Sequence, residues 1–237
     1  MPIPPAPGPP PGPPPRTPSG TPSRRRALRS TGLLAVPAVL LMTAVASGWR
    51  PLLDLDARIA RELHSLALAH PAWTDAARVL TDWVWDPVTM RVLAAAAALA
   101  LWWRAERALA LLVAAAVGLG ALVQQGLKAL LDRARPEWQQ PLDAAHYAAM
   151  PSGHAMTAAL VCGLLTWLAW TRTRRAAVCW AAAAAAGVSV VGVSLTRVWL
   201  GVHWPSDVVT GALLGLALAT LTAAAWSPRA PSGRIAA

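Results

Sequence analysis

Three short stretches of the sequence combine cations, histidines and a carboxylate in an order that suits phosphate chemistry. Phosphoryl groups spread negative charge over several oxygens, so their transfer is catalysed mainly by positioning and electrostatic stabilisation. Cations close to an imidazole provide both. The stretches are Lys128-x6-Arg135-Pro136, Pro151-Ser152-Gly153-His154 and Thr196-Arg197-x5-His203-x3-Asp207.

The pair formed by His203 and Asp207 carries the clearest signal. At positions i and i+4 of a helix start, the two side chains meet on one face. The carboxylate can then hold one ring nitrogen and leave the other free to attack. A lone histidine is more often structural, but Arg197 stands six residues upstream and favours a functional interpretation.

Lys128 and Arg135 form the second element. If the helix continues past Lys128, seven residues make nearly two turns and both cations share a face, where they would bind an anion. The alternative is that they are end residues reaching for the membrane surface. Asp132 and Arg133 would point elsewhere on such a helix, so we expect both to be solvated.

The tetrapeptide Pro151–His154 predicts a helix start. Proline fits the first turn, glycine lets a ligand approach the backbone, and the free N–H groups favour an anion. Ser152 adds a hydroxyl donor, and His154 can supply a proton near neutral pH. Taken alone, the tetrapeptide favours a simple helix cap; its combination with the other two stretches favours a phosphate site.

The chain that positions these residues is too apolar for an ordinary soluble domain. Its hydrophobic fraction is 56% and its charged fraction is 14%, against about 25% charged in soluble proteins. Blocks long enough to cross a bilayer predict an all-α, polytopic membrane protein with six transmembrane helices. They cover about 33–49, 87–103, 108–127, 152–171, 176–195 and 207–226.

The placement of charge predicts the orientation. The net charge of +10 would indicate a nucleic-acid partner on a soluble surface, but most arginines flank apolar blocks, and we expect no such partner. An excess of basic residues marks the cytoplasmic side, so both termini should lie inside and the three stretches outside. With alternating spans, the basic side holds Arg16, Arg24, Arg25, Arg26, Arg29, Arg104, Arg107, Arg172, Arg174, Arg175, Arg229 and Arg234, with Glu106 as its one acid.

The regions outside the spans have their own patterns. Residues 1–30 are rich in Pro, Gly, Ser and Thr and predict a disordered cytoplasmic tail, followed by a membrane domain over 31–226 and a second tail over 227–237. Arg24-Arg25 and Ala44-Val45-Ala46 leave a cleaved signal open, but the first span is long enough for an uncleaved anchor.

Within 51–85, apolar residues at helical spacing predict an amphipathic helix on the outer membrane face, and a second one follows. They carry Leu52, Leu55, Ile59, Leu63 and Leu66, then Trp73, Ala77, Leu80 and Val84.

Smaller features complete the pattern. Cys162 and Cys179 lie in apolar blocks and are interpreted as buried thiols. The GxxxG of Gly211 and Gly215 predicts close helix contact, within the chain or between chains, so the oligomeric state stays open. The remaining histidines match no motif and are expected at the surface, although His146 with Tyr147 lies just before the site: His64, His70 and His146.

Together, the three stretches resemble the signature motifs of the type 2 phosphatidic-acid phosphatase superfamily, which also includes vanadium haloperoxidases and bacterial acid phosphatases. Six spans with the site on the outer face resemble its membrane lipid-phosphate phosphatase branch. The resemblance implies that His203 is the nucleophile and forms a phosphohistidine, that Asp207 orients it, and that His154 protonates the leaving oxygen and later activates water. Thr196 stands where the family usually has serine and keeps the hydroxyl. The residues implied to hold the phosphate oxygens are Lys128, Arg135, Ser152, Gly153 and Arg197.

We therefore expect metal-independent hydrolysis of a lipid-linked phosphate monoester or diphosphate, such as phosphatidic acid or a polyprenyl diphosphate, at the outer face of a bacterial plasma membrane. No cofactor is expected, because no cluster of carboxylates or extra histidines is available to hold a metal. A phosphotransferase using the same site is one alternative, and a non-enzymatic transporter or scaffold is another. Transporter charges usually lie near the middle of a span, whereas these lie at helix ends.

Overall fold

The computed structural model describes residues 24–145 and 147–226. Over these ranges the chain forms α-helices and one π-helical turn, Leu80–Val84, and contains no strand. The expectation of an all-α fold is therefore confirmed. The helices are α1 Arg24–Ala46, α2 Arg50–Ala69, α3 Pro71–Val79, α4 Pro87–Trp103, α5 Arg107–Leu131, α6 Gly153–Arg172, α7 Ala176–Trp199 and α8 Pro205–Ala225.

Over the described residues, six helical segments are long and apolar enough to cross a bilayer, which confirms the predicted number. Five of them are α1, α5, α6, α7 and α8. The sixth is the segment Pro71–Trp103, in which the second predicted surface helix runs into the π-helical turn and a break at Trp85 and Asp86 separates it from α4. Asp86 marks the join, since its Oδ2 accepts the N–H groups of Val88 and Thr89 at 2.7 and 3.2 Å and caps α4.

The first span begins earlier than predicted. Helix α1 begins at Arg24 rather than near residue 33, so residues 24–30 of the predicted tail are helical. The Arg, Ala and Leu residues that follow Pro22 are strong helix formers. A prediction based on apolar content alone does not detect this start of the helix. Residues 1–23 and 227–237, which hold the rest of the two predicted tails, lie outside the described residues.

Helix α6 lies at the centre of the bundle and packs against α8, α7, α4 and α5. A Cβ atom at Gly211 would come within 2.6 Å of the Ser152 backbone oxygen, and one at Gly215 would collide with the Met156 backbone oxygen. The two glycines therefore let the backbones of α6 and α8 touch, which places this GxxxG contact within the chain. Cys179 is buried and Cys162 half-buried, and both are free thiols.

Helix α2 is amphipathic, as predicted, and packs against α7 and α8. Leu55 and Leu66 are exposed, whereas its buried face consists of Asp56, Ala60, His64 and Ala67. The face that contacts the bundle therefore consists of two alanines and two polar residues, whereas Leu55 and Leu66 point away from it.

The surface expectation for the unmatched histidines holds for His70 and is wrong for His64. His70 is exposed. The His64 ring stacks on Trp138 with centroids 4.0 Å apart, and burial lowers its pKa. The aromatic partner comes from a distant loop, which helical spacing cannot reveal. His146 lies outside the described residues.

The end of the bundle opposite the start of α8 joins several elements. Thr31 of α1 and Thr220 of α8 share a hydrogen bond of 2.9 Å between their hydroxyl oxygens. Arg172, at the end of α6, pairs with Glu106 in the turn between α4 and α5. The start of α1 and the end of α8 therefore lie at the same end of the bundle, away from the start of α6.

Candidate active site

The three predicted stretches meet at one end of the bundle, where α5 and α7 end and α6 and α8 begin. The N–H of Ser152 donates to the backbone oxygen of Asp207 at 3.0 Å, which joins the starts of α6 and α8. The N–H of Ala149 donates to the backbone oxygen of Arg133 at 2.8 Å and ties down the connecting loop. Two helix N-termini, which favour negative charge, therefore lie side by side.

His203 is buried between a carboxylate and a cation. Its Nδ1 lies 3.4 Å from Oδ2 of Asp207, slightly longer than the usual hydrogen-bond range. Its Nε2 lies 3.2 Å from a terminal nitrogen of Arg135. The same Oδ2 of Asp207 accepts the N–H of Trp204 at 2.9 Å. Asp207 thus contacts one ring nitrogen, and the other ring nitrogen faces the cations.

The surroundings of His203 keep its imidazole neutral. Burial lowers the pKa of His203 well below its usual value, and the positive charges of Arg135, Arg197 and Lys128 lower it further. A neutral ring with a proton on Nδ1 carries its lone pair on Nε2. This is the form of histidine that can act as a nucleophile.

The backbone that positions Lys128 and Arg135 beside His203 differs from the continuous helix that their spacing predicted. Helix α5 ends at Leu131, and Asp132 adopts a left-handed conformation with φ of 37°, so the two cations do not share a helix face. Aspartate tolerates this conformation better than most residues. The turn places Arg135 in the loop, where its Nε donates to the backbone oxygen of Tyr147 at 2.5 Å.

Both cations are held by backbone carbonyls. Nζ of Lys128 donates to the backbone oxygen of Ala148, and a terminal nitrogen of Arg135 donates to that of Val202. Burial and the charge of Arg197 lower the pKa of Arg135 to about 10. Arg135 therefore stays positive at neutral pH.

Among the described residues, the buried polar atoms without a hydrogen-bond partner include Oγ of Ser152 and Nε of Arg197. Because buried polar atoms are nearly always paired, these unpaired donors favour a polar ligand at this end. A terminal nitrogen of Arg197 contacts Oδ2 of Asp143 at 3.2 Å. Beside them, a cavity of about 530 Å³ is lined by Arg135, Trp138 and Asp143, among others.

The remaining motif residues have separate surroundings. His154 is the half-buried second residue of α6 and interacts electrostatically with His203 and Arg197. A Cβ atom at Gly153 would come within 2.7 Å of Gln124 Nε2, so a larger residue there would displace the Gln124 side chain of α5. The hydroxyl of Thr196 donates to Val193 within its own helix at 3.0 Å.

All the predicted site residues therefore lie at the same end of the bundle, and their individual roles stay predictions. They are Lys128, Arg135, Ser152, Gly153, His154, Arg197, His203 and Asp207.

Sequence reasoning missed a buried ionic network behind Asp207. The expectation that Arg133 is solvated was wrong: one terminal nitrogen contacts Oδ1 of Asp207 at 2.5 Å, and the other contacts Oδ2 of Asp56 at 2.8 Å. Asp56 also accepts the N–H of Ser206 at 2.9 Å and the Ser206 hydroxyl. The turn at Asp132 directs Arg133 inward, while Asp132 itself is exposed. The available signal was the position of Asp56 among small residues on one face of α2.

Six apolar spans around a buried imidazole with convergent cations define a membrane protein equipped for phosphate-ester chemistry. The family model of the PAP2 superfamily matches residues 108–230, and the chain belongs to that superfamily. A search of curated proteins found no match.

A solved structure with the same fold is similar to this chain. It is the crystal structure of the first transmembrane PAP2-type phosphatidylglycerolphosphate phosphatase from Bacillus subtilis. The two chains are 25% identical, with a TM-score of 0.64, and the match covers 81% of this chain and 94% of the other. The predictions of PAP2 membership, of a multi-pass membrane fold and of a lipid phosphatase are confirmed.

Proposed function

We propose that this protein hydrolyses a lipid-linked phosphate monoester or diphosphate at the outer membrane face, without a metal ion and through a phosphohistidine. The observation that carries the proposal is the placement of His203. Asp207 holds its Nδ1, and its Nε2 faces the guanidinium of Arg135. A phosphoryl group bound by that guanidinium lies within reach of the attacking nitrogen.

In the first step, Nε2 of His203 attacks phosphorus while Nδ1 keeps its proton and donates a hydrogen bond to Asp207. The bond between phosphorus and the leaving oxygen breaks, and His154, whose protonated form is favoured by the negative charge of the bound phosphate, gives that oxygen a proton. The products are a phosphohistidine and either a lipid alcohol or, from a diphosphate, a lipid monophosphate. Charge on the phosphoryl oxygens is stabilised by preorganised donors, which are Lys128, Arg135, Arg197, the Ser152 hydroxyl and the N–H groups around Gly153.

In the second step, His154 takes a proton from water as the water oxygen attacks the phosphohistidine. The bond between phosphorus and Nε2 breaks, which releases inorganic phosphate and restores neutral His203. His154 is protonated again and ready for the next substrate. The two histidines therefore complete the cycle without net consumption of a proton.

The distribution of arginine supports an outward-facing site. Among the described residues, the end of the bundle opposite the site has Glu106 as its only acid, whereas its arginines are numerous. Since an excess of basic residues marks the cytoplasmic side, we place this end and both termini in the cytoplasm of a bacterial cell. The arginines at this end within the described ranges are Arg24, Arg25, Arg26, Arg29, Arg104, Arg107, Arg172, Arg174 and Arg175.

The decisive experiment measures phosphate release from a panel of lipid phosphates in detergent, with a chelator and no added metal. The panel contains phosphatidylglycerol phosphate, phosphatidic acid and a polyprenyl diphosphate. The parent should release phosphate from at least one of them, and His203→Ala should not. His70→Ala is the matched control, because His70 is an exposed histidine outside the site.

Each component of the proposal has its own contrary result. Activity retained in His203→Ala would remove the assigned nucleophile. Loss of activity on chelation, restored by a divalent ion, would contradict metal independence. Phosphate recovered on an added alcohol rather than free in solution would identify a phosphotransferase.

Orientation is tested by cysteine labelling in intact cells, in a background without Cys162 and Cys179. Glu137 and Arg174 are exposed residues at opposite ends of the bundle. An impermeant maleimide added from outside should label Glu137→Cys and leave Arg174→Cys unlabelled until the cells are opened. The reverse pattern would place the site in the cytoplasm.

A further inference from the structure

A second buried carboxylate stands behind Asp207, on a helix that carries none of the three motifs. We propose that Asp56 and Arg133 are positioning residues that hold Asp207, and through it His203, in the geometry for attack. The proposal rests on the phosphatase function above and extends it to α2. Asp56 and Arg133 are 77 positions apart in the sequence.

The division of contacts at Asp207 is the first argument. Its Oδ1 contacts Arg133 at 2.5 Å, and its Oδ2 accepts the Trp204 N–H at 2.9 Å. The contact of Oδ2 with His203, at 3.4 Å, is the longest of the three. The orientation of the carboxylate is therefore determined by Arg133 and the backbone, and the imidazole takes up its position against a carboxylate that is already fixed.

The geometry at Arg133 is the second argument. Its two terminal nitrogens serve different carboxylates, Asp207 on one side and Asp56 on the other. The guanidinium also lies 5.6 Å from the ring centroid of Trp204, within cation–π range. A planar group held from two sides and from one face has a single orientation, which a lysine at this position could not reproduce.

Burial and charge are the third argument. The exposed fraction is 9% for the Arg133 side chain, 2% for Asp56 and 0% for Asp207. Removing one partner of a buried ion pair leaves an uncompensated charge. Asp56 also accepts the N–H of Ser206 in the first turn of α8, where a helix favours an anion. It thus fixes the backbone one residue before Asp207.

A purely structural role for Asp56 would be to attach α2 to the bundle. That role predicts less folded protein but a normal turnover number for each folded molecule. A positioning role predicts a lower turnover number for each folded molecule and an unchanged affinity for substrate, because the phosphate-binding cations are intact. The two roles therefore differ in a measurable quantity.

The test compares Asp56→Asn with Asp54→Asn. Asp54 is an exposed aspartate two positions away on the same helix and is the matched control. Active sites are counted by binding of vanadate, an analogue of phosphate, and phosphate release is measured on the panel lipid that the parent hydrolyses fastest. For Asp56→Asn we expect kcat per vanadate-binding site to fall about 10- to 100-fold, as for other residues that orient a ligand through hydrogen bonds, with KM within about twofold. Asp54→Asn should equal the parent.

A double-mutant cycle shows whether Asp56 acts through Arg133. Arg133→Gln should lower kcat more than Asp56→Asn, because it removes the direct contact with Asp207. In the Arg133→Gln background, Asp56→Asn should add less than about a twofold loss. Arg133→Lys should restore only part of the activity, since one nitrogen cannot serve both carboxylates. Multiplicative losses in the cycle would overturn the route through Arg133 and leave only the direct contact of Asp56 with the Ser206 backbone.

The outcomes separate this proposal from the function on which it rests. If the parent releases no phosphate from any panel lipid, the proposed function fails and this proposal fails with it. If the parent is active and Asp56→Asn matches Asp54→Asn per site, only the positioning role is overturned. If Asp56→Asn does not fold, Ser206→Ala removes a hydroxyl bonded to both Asp56 and Arg133, and unchanged turnover in that variant would also overturn the proposal.

Discussion

Both ends of the helical bundle are rich in basic residues, but their surroundings differ. At the end opposite the site, Arg104, Arg107 and Arg174 are exposed. At the site end, Lys128 and Arg197 are buried, with exposed fractions of 7% and 4%. Exposed cations at helix ends cost little and indicate orientation, whereas buried cations need a reason to be there. Burial therefore distinguishes the cations proposed for phosphate binding from those that set topology.

The largest difference in kcat/KM is expected between the variant of an arginine at the site end and the variant of an arginine at the opposite end. Arg197→Ala removes a donor that we propose holds the phosphate oxygens and should lower kcat/KM about 100- to 1,000-fold. Arg174→Ala at the opposite end should leave it within about twofold. Steady-state kinetics on one lipid phosphate, at equal amounts of folded enzyme, measure both. Equal losses in the two variants would remove the distinction between the ends.

The pH dependence of activity should show that the cations act on the nucleophile. The pKa of His203 is lowered by burial and by Arg135, Arg197 and Lys128, so the attacking form should persist below the ordinary range of histidine. Arg135→Gln removes one positive charge, so the pKa of His203 should rise and the acidic limb of kcat/KM should move to higher pH. Parent and variant are measured on the same substrate, so the ionisation of the substrate phosphate affects both profiles equally. A shift to lower pH would contradict the assignment.

A smaller effect should come from the carboxylates that pair with arginine at each end. Asp143 contacts Arg197 at the site, and Glu106 pairs with Arg172 at the other end. Because Asp143 repels an incoming phosphate and engages Arg197, Asp143→Asn should lower KM about two- to fivefold, in line with the energy of a partly exposed pair. Glu106→Gln should leave KM unchanged. A higher KM in Asp143→Asn would mean that the aspartate orients Arg197 for substrate.

The smallest effect concerns stability. The pair of Glu106 and Arg172 is about one third exposed on each side, so Glu106→Gln should lower the free energy of unfolding by less than about 1 kcal/mol. Denaturation of the two proteins in the same detergent measures the difference. A loss of several kcal/mol would show that the opposite end depends on charge pairing as the site end does.

Much of this arrangement follows from local patterns in the sequence. Apolar length predicted the number of spans, and the three motifs lie together because α5 and α7 end where α6 and α8 begin. Arg133 escaped prediction because its role depends on the end of α5 at Leu131 and on the backbone turn at Asp132. Asp56 escaped because its partner lies 77 positions away. Periodicity describes a helix face, whereas the partner of a buried charge is decided by tertiary packing.

The glycine contact between α6 and α8 has a consequence for the enzyme in bilayers of different thickness. Helices respond to thickness by changing their tilt. Because the backbone at Gly211 touches that at Ser152, these two helices tilt as one rigid pair. His154, the proposed proton donor on α6, and His203, the proposed nucleophile beside α8, then move together, so lipid composition should alter how substrates arrive more than how fast a bound phosphate reacts.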